Sequence, residues 1–314
     1  MKTFIACALL GLLTLSFVPS VECCCMVPAN YKGTISQSAQ EGVLFFADGR
    51  EDLILKINYK ITGDTLPDKF AWVITVPNTP DAYEVADAKL FEEVFPWADR
   101  LVVPPTLGGN SHSKAEAGRA EGLETGKPVK VGPYTIQPVK ALGKQALTGL
   151  NDWLAENGFP KEDPGHMEYF VDNKFTFLCV KFDPLKDKKN VDSEGGVPPL
   201  HLSFKTDNPY YPLRFSSRQG DFDVNLYVLT KKDFDYKDSS DSLKRINWND
   251  SEHFTTNVEV SAKDFPKPLK AAYEKSSFKE DAGKWKLNVL RARQVNKDNA
   301  IAKWKTDIYF KTKA

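Results

Sequence analysis

The sequence predicts an α+β fold, mostly antiparallel β-sheet, with two or three helices and a smaller C-terminal part that is also β-rich. Residues 53–61 alternate apolar and polar side chains, which is typical of a strand with one buried face. Residues 70–76 are apolar almost without interruption, which indicates a strand buried on both faces. Leu147, Leu150 and Leu154 recur at helical spacing. A fold made only of strands is therefore disfavoured.

The first predicted elements are a hairpin and a helix. Residues 43–47 and 53–61 flank a turn sequence at residues 48–51, as expected of a β-hairpin. Residues 90–94 place their apolar side chains on one helical face. We expect Pro96 to end this helix, because proline lacks the backbone N–H that an interior helical residue donates.

The middle of the chain predicts a loop and then a strand-helix-strand unit. Residues 104–128 combine glycines, small polar residues and scattered charges without a hydrophobic period, so we expect a mobile loop. Strand character returns at residues 129–139, and Gly158 is placed to end the helix that follows. Residues 175–180 then form an apolar strand.

We predict two parts in the exported chain, a main α+β domain at residues 21–230 and a smaller C-terminal subdomain at residues 231–314. The division is placed at residues 231–241 because this segment is highly charged and is expected to be a solvated connection. The predicted strands of the second half are residues 202–204, 213–216, 224–229, 285–293 and 304–310.

Residues 1–20 have the layout of a secretory signal peptide. Lys2 precedes an apolar run that continues to Val18. This run of about 15 residues is shorter than the roughly 20 that span a membrane. Val18 and Ser20 suit the recognition positions of signal peptidase, so we expect cleavage after Ser20. The mature protein would then be extracytoplasmic, periplasmic or secreted, without a transmembrane segment.

Four cysteines remain after that cleavage. Lipid anchoring at Cys23 is not expected, because Glu22 precedes it where lipid-modified cysteines normally follow a small residue. Cys179 lies in an apolar strand and is interpreted either as a buried thiol or as the partner of Cys23, Cys24 or Cys25 in a disulfide. A nucleophilic role is disfavoured, because a reactive thiolate needs electropositive surroundings. Consecutive cysteines do not form a metal-ligand set, and we expect no metal and no cofactor.

The charge balance argues against a nucleic-acid partner. Without residues 1–20 the chain has 41 Lys plus Arg against 42 Asp plus Glu, so its net charge is −1. Residues 284–314 carry nine Lys or Arg against two Asp. This basic stretch is either a face for a polyanion or an outer face that is solvated or that faces the acidic residues 84–93, and the sequence leaves these alternatives open.

The sequence offers few groups for catalysis. It contains neither a Gly-x-Ser-x-Gly elbow nor a His-Glu-x-x-His zinc helix. His201 alternates with Leu200 and Leu202, so we expect it to face solvent beside Ser203. A dyad of Cys179 with His201 would require their strands to pair.

Two pairs of carboxylates stand at i, i+2, which places both members on one face of a strand. They are Asp221 with Asp223 and Asp233 with Asp235. Such pairs serve in calcium sites or in acid–base catalysis, but also occur at charged loop edges, and no twelve-residue calcium loop is present.

Three aromatic residues form a candidate ligand platform. Tyr210, Tyr211 and Trp248 could stack on sugar rings if they are exposed, whereas aromatic residues of strand proteins are more often buried.

Several segments of the chain recur together in one order. They are the start at Cys23, residues 41–46, 70–77, 131–134, 150–158 and 206–214, with a further segment at residues 290–293. Taken in this order, they resemble the uncharacterised bacterial family known as domain of unknown function 2330. The resemblance implies an exported protein and no particular activity. The three adjacent cysteines depart from the spaced cysteines of the family, so no disulfide pattern is carried over.

These observations lead to two hypotheses. The first is a non-catalytic exported module that binds or scaffolds at the bacterial cell envelope, with an envelope polymer or protein as partner. The alternative is an extracytoplasmic hydrolase that uses dispersed carboxylates or Cys179.

Overall fold

The computed structural model describes residues 24–101, 126–140, 144–183, 194–248 and 256–313. It confirms the predicted α+β class with mostly antiparallel sheets. The strands are β1 (Cys25–Met26), β2 (Gly33–Ala47), β3 (Arg50–Gly63), β4 (Phe70–Val76), β5 (Ala82–Val85), β6 (Val129–Val131), β7 (Tyr134–Lys140), β8 (Thr176–Phe182), β9 (Glu194–Gly196), β10 (Leu200–Lys205), β11 (Tyr210–Tyr211), β12 (Asp223–Thr230), β13 (Phe234–Asp235), β14 (Val258–Val260), β15 (Trp285–Ala292), β16 (Ile308–Tyr309) and β17 (Lys311–Thr312). The helices are α1 (Leu90–Leu101), α2 (Lys144–Glu156), α3 (Pro164–Asp172), α4 (Asp241–Lys244) and α5 (Lys267–Tyr273), with 3₁₀ helices at Arg214–Arg218, Ala262–Asp264 and Lys297–Lys303.

A five-stranded antiparallel sheet has the order β1-β4-β8-β7-β6. Every residue of β4 is buried, as its uninterrupted apolar sequence predicts. The chain leaves this sheet after β7, forms α2 and α3, and returns as β8, which confirms the predicted strand-helix-strand unit. Gly158 follows α2 with φ +77°, a conformation that glycine adopts without strain.

An eight-stranded sheet has the order β14-β15-β12-β2-β3-β10-β5, with β9 also paired to β3. Its pairs are antiparallel except for the parallel pair of β12 with β2. The predicted hairpin is the pair β2 and β3. Asp48 and Gly49 at its tip both have positive φ, which matches the right-handed twist of the two strands.

Two hydrophobic cores lie on opposite faces of the eight-stranded sheet. The larger core joins this sheet to the five-stranded one, and Leu53, Leu55 and Phe177 belong to it. The smaller core lies between the other face and the helices α1 and α5, and it includes Phe45 and Ile54. Because side chains alternate along a strand, consecutive residues within β2, and likewise within β3, pack into different cores.

Three local predictions are wrong. Helix α1 continues through Pro96 to Leu101. Trp97 and Ala98 extend its buried face, and this packing compensates for a helix-interior proline, which costs about 3 kcal/mol. In place of the predicted strand at residues 213–216, the chain forms the 3₁₀ helix Arg214–Arg218. Within residues 304–310 only β16 is a strand.

Strands from both sides of residue 230 share one sheet, because β15 pairs with β12. The division of the chain at this position stays a prediction. Of the predicted loop at residues 104–128, residues 104–125 lie outside the described residues. Within the described residues, none of the helices has the length and apolar character that crossing a membrane requires.

Candidate functional site

Cys179 is a buried thiol, the first of its two interpretations, and it forms no disulfide with Cys24 or Cys25. Cys24 and Cys179 are buried free thiols, Cys25 is buried as well, and Cys23 lies outside the described residues. Strand β4 separates β1 from β8, so the strands that carry Cys25 and Cys179 lie about 10 Å apart. A disulfide needs Cα atoms within about 7 Å. Burial also raises the pKa of the Cys179 thiol, which disfavours a nucleophilic thiolate.

The interpretation of Tyr210, Tyr211 and Trp248 as a ligand platform is wrong, because all three side chains are buried. The Tyr210 hydroxyl donates to Asp307 Oδ2 at 2.7 Å. Trp248 Nε1 donates to the backbone oxygen of Leu243 at 2.9 Å. These rings belong to the larger hydrophobic core and cannot stack on a ligand from solvent.

His201 is buried, contrary to the expectation that it faces solvent. Its Nε2 lies 2.7 Å from Asp52 Oδ1, and Ser203 Oγ donates to the same carboxylate oxygen. The backbone N–H of Ser277 donates to Asp52 Oδ2 at 3.0 Å, so a further segment covers this face of β10. Burial alone would raise the pKa of Asp52, but the hydrogen bonds from His201, Ser203 and Ser277 lower it. Cys179 lies in the other large sheet, so the predicted dyad does not form.

Two further buried carboxyl groups hold the chain around β11. Asp307 Oδ1 accepts from the backbone N–H groups of Leu213 and Arg214, both at 2.9 Å. Glu51 Oε2 accepts from the Tyr210 N–H at 2.7 Å, whereas Glu51 Oε1 has no partner among the described residues. Burial raises the pKa of both carboxyls, that of Glu51 well above its usual range. Both side chains have no exposed surface.

One member of each carboxylate pair proposed from the sequence contacts a backbone or lysine partner within the protein. Asp223 Oδ1 accepts from the Gln294 N–H at 3.1 Å. Asp233 lies 3.9 Å from Lys286 and 3.7 Å from Lys313. Among the described residues no group of three or more His, Cys, Asp or Glu side chains is placed to hold a metal ion.

Part of the basic C-terminal stretch is paired with carboxylates. Lys284 forms an ion pair with Glu259, and Lys286 lies 3.6 Å from the same residue. Arg291 Nη1 lies 2.5 Å from Asp99 Oδ1. The partners of these cations lie in α1 and β14, outside the acidic residues 84–93.

One cluster has the order of hydrogen bonds that nucleophilic catalysis requires. Ser217 Oγ lies 3.1 Å from His166 Nε2, and His166 Nδ1 lies 2.9 Å from Glu162 Oε1. Glu162 precedes α3 and His166 is in its first turn, so a spacing of four residues aligns them. Ser217 comes from the 3₁₀ helix after β11. We call these three residues the Ser-His-Glu cluster.

The Ser-His-Glu cluster is fixed from several directions. The side-chain amide of Asn151 in α2 exchanges two hydrogen bonds with the Glu162 backbone, at 2.9 and 2.7 Å. Arg218 Nη1 donates to Glu162 Oε1 at 2.8 Å. The His166 ring stacks on Phe215, with 4.6 Å between ring centres. The imidazole is therefore held in one orientation.

Sequence reasoning missed the Ser-His-Glu cluster. Ser217 and His166 are 51 residues apart and meet only because α3 packs beside the 3₁₀ helix. The one local signal is the Glu-x-x-x-His spacing of Glu162 and His166, which by itself is common in helices.

Three solved structures are similar to the chain, each at 10% identity: baculovirus P35 (TM-score 0.39, covering 85% of this chain and 94% of that one), a mutated baculovirus P35 after caspase cleavage (0.37, 82% and 94%), and the caspase-8/P35 complex (0.37, 82% and 91%). At these scores the likeness carries no inference about function. No curated protein matches the sequence. The profile described as an uncharacterized protein conserved in bacteria matches residues 18–264. The chain therefore belongs to the bacterial family DUF2330.

Proposed function

We propose that this chain is an exported module that binds or scaffolds at the bacterial cell envelope. Export is supported by the layout of residues 1–20, with one charge, an apolar run and a peptidase site at Ser20. Membership of a family found in bacteria is consistent with a role at the envelope.

One observation favours binding over the hydrolase suggested by the sequence: Cys179, its one named nucleophile, has no exposed surface. Burial also raises the pKa of the Cys179 thiol, which disfavours the reactive thiolate. From the carboxylate pairs of the other version, Asp223 accepts a hydrogen bond from the Gln294 N–H, and Asp233 lies close to Lys286 and Lys313. These carboxylates therefore have partners within the protein itself.

The surface offers one feature suited to a protein partner. Phe95 of α1 is 41% exposed and is the one large apolar side chain that stands exposed among the described residues. The guanidinium of Arg291 lies over its ring at 3.9 Å. Aromatic residues and arginine are enriched at protein contacts, so we favour an envelope protein over a polymer.

The test is sedimentation of the purified chain with envelope fragments from the expressing bacterium. We expect the chain to sediment with untreated envelopes and to remain in solution after the envelope proteins are digested. Phe95→Ala should weaken retention, whereas Phe278→Ala, which removes a ring of the smaller core, serves as the control for general destabilisation. A chain that stays in the supernatant with untreated envelopes contradicts the proposal, and retention by purified wall polymer alone would assign the partner to the polymer.

A further inference from the structure

We propose that Ser217 is an activated nucleophile for acyl transfer, with His166 as its general base and Glu162 as the group that orients the base. This activity goes beyond the proposed binding role, which does not require it. It also differs from the hydrolase suggested by the sequence, since neither Cys179 nor a carboxylate nucleophile takes part.

The distances define which atom carries each proton. An ionised carboxylate only accepts hydrogen bonds, so His166 must carry its proton on Nδ1, 2.9 Å from Glu162 Oε1. This tautomer leaves the lone pair of His166 Nε2 directed at the Ser217 hydroxyl, 3.1 Å away. A serine, a histidine and an orienting carboxylate linked in this order are the arrangement that activates a hydroxyl for nucleophilic attack.

Contacts around the Ser-His-Glu cluster hold its side chains in a fixed geometry. Stacking on Phe215 limits rotation of the imidazole ring. The Asn296 side chain donates to the Ser217 backbone oxygen at 3.0 Å and so fixes the 3₁₀ helix that carries the nucleophile. Catalytic groups act efficiently when their geometry is set before the substrate arrives.

A second buried serine shows why this order matters. Ser203 donates its hydroxyl hydrogen to the Asp52 carboxylate, which also binds His201. In that cluster the carboxylate stands between serine and histidine, so no imidazole nitrogen is placed to remove the serine proton. Of these two clusters, the Ser-His-Glu cluster is therefore the one in which an imidazole base lies next to the serine hydroxyl.

The chemistry assigned to Ser217 is attack on a small ester. Only 6% of the residue is exposed, which favours a compact acyl group. Oγ bonds to the carbonyl carbon while its proton moves to His166 Nε2. The bond from that carbon to the leaving oxygen then breaks, and the imidazolium returns the proton to the departing alcohol. A water molecule attacks the acyl-serine by the same route, releases the acid and restores the hydroxyl.

The test uses a fluorophosphonate probe on the full chain as purified from expressing cells. Ser217 Oγ would bond to phosphorus, the phosphorus–fluorine bond would break, and the serine proton would pass to His166 as fluoride leaves. We expect one label per chain, mapped to Ser217 by peptide mass spectrometry, and none in chain unfolded with urea. His166→Gln should slow labelling by about 10²–10⁴-fold.

Two variants make the outcome decisive. Ser217→Ala should abolish labelling, whereas Ser216→Ala should retain it, because Ser216 Oγ contacts Gln40 and Cys24 and not the imidazole. Absence of label on natively folded chain overturns the proposal. Labelling that maps to another residue, or that proceeds at the same rate in His166→Gln, overturns it as well. Because the wild-type measurement compares folded with unfolded chain, it stands even if a variant fails to fold.

Discussion

Glu51 should make the folded chain less stable as the pH rises. Its carboxyl is fully buried, and burial raises its pKa well above the usual range. Between the ordinary glutamate pKa and the raised value, the folded state holds a proton that the unfolded state has lost. The stabilisation from this group is therefore complete below the ordinary pKa and is lost as the pH rises through the raised one.

The size of the effect follows from the one proton involved. Within that pH window the free energy of unfolding should fall by about 1.4 kcal/mol per pH unit. Glu51→Gln removes the titration but keeps an oxygen that can accept from the Tyr210 N–H. The side-chain NH2 of the glutamine takes the place of Glu51 Oε1, which has no partner among the described residues, so the variant adds a pH-independent cost of about 1–3 kcal/mol.

The assay is urea unfolding of both proteins in steps from about pH 4 to about pH 9. As the pH rises, the unfolding free energy of the wild type should fall relative to that of Glu51→Gln. Asp52→Asn is the matched control from the adjacent residue, since the lowered pKa of Asp52 gives stability that is lost as the pH falls. Parallel pH profiles for wild type and Glu51→Gln would refute the assignment of a buried, protonated carboxyl.

Three further results are expected. Tyr210→Phe removes the hydroxyl that donates to Asp307, so the free energy of unfolding should fall by about 1–3 kcal/mol in urea titrations, and an unchanged value would contradict that hydrogen bond. Trp248→Ala should cost about 3–5 kcal/mol because a buried indole leaves a cavity, whereas the small loss typical of a surface residue would place the ring in solvent. Cys179 should react with a thiol reagent only after unfolding, as followed by mass spectrometry; prompt labelling of the native chain would show that the thiol is accessible.

Local patterns were sufficient to predict much of the fold. The β2–β3 hairpin follows from alternating side chains on either side of an Asp-Gly turn, and β4 follows from its uninterrupted apolar sequence. The prediction that α1 ends at Pro96 is wrong because it uses only local sequence. The helix continues beyond Pro96 because its buried face packs against the rest of the chain, which local sequence does not reveal.

The candidate site was beyond sequence reasoning for a different reason. Alternation along β10 puts His201 opposite its leucine neighbours, but it does not reveal that the segment at Ser277 covers that second face. The contact of His166 with Ser217 joins elements far apart in the chain. Each residue type is common on its own, and only the distances between them distinguish a catalytic order from ordinary polar packing.

The intact mass of the chain recovered from a fractionated bacterial culture tests the central claim of an exported envelope module most directly. We predict that the chain appears in the extracytoplasmic fraction with the mass of a polypeptide that begins at Val21. Recovery from the cytosol with residues 1–20 still attached would contradict the account.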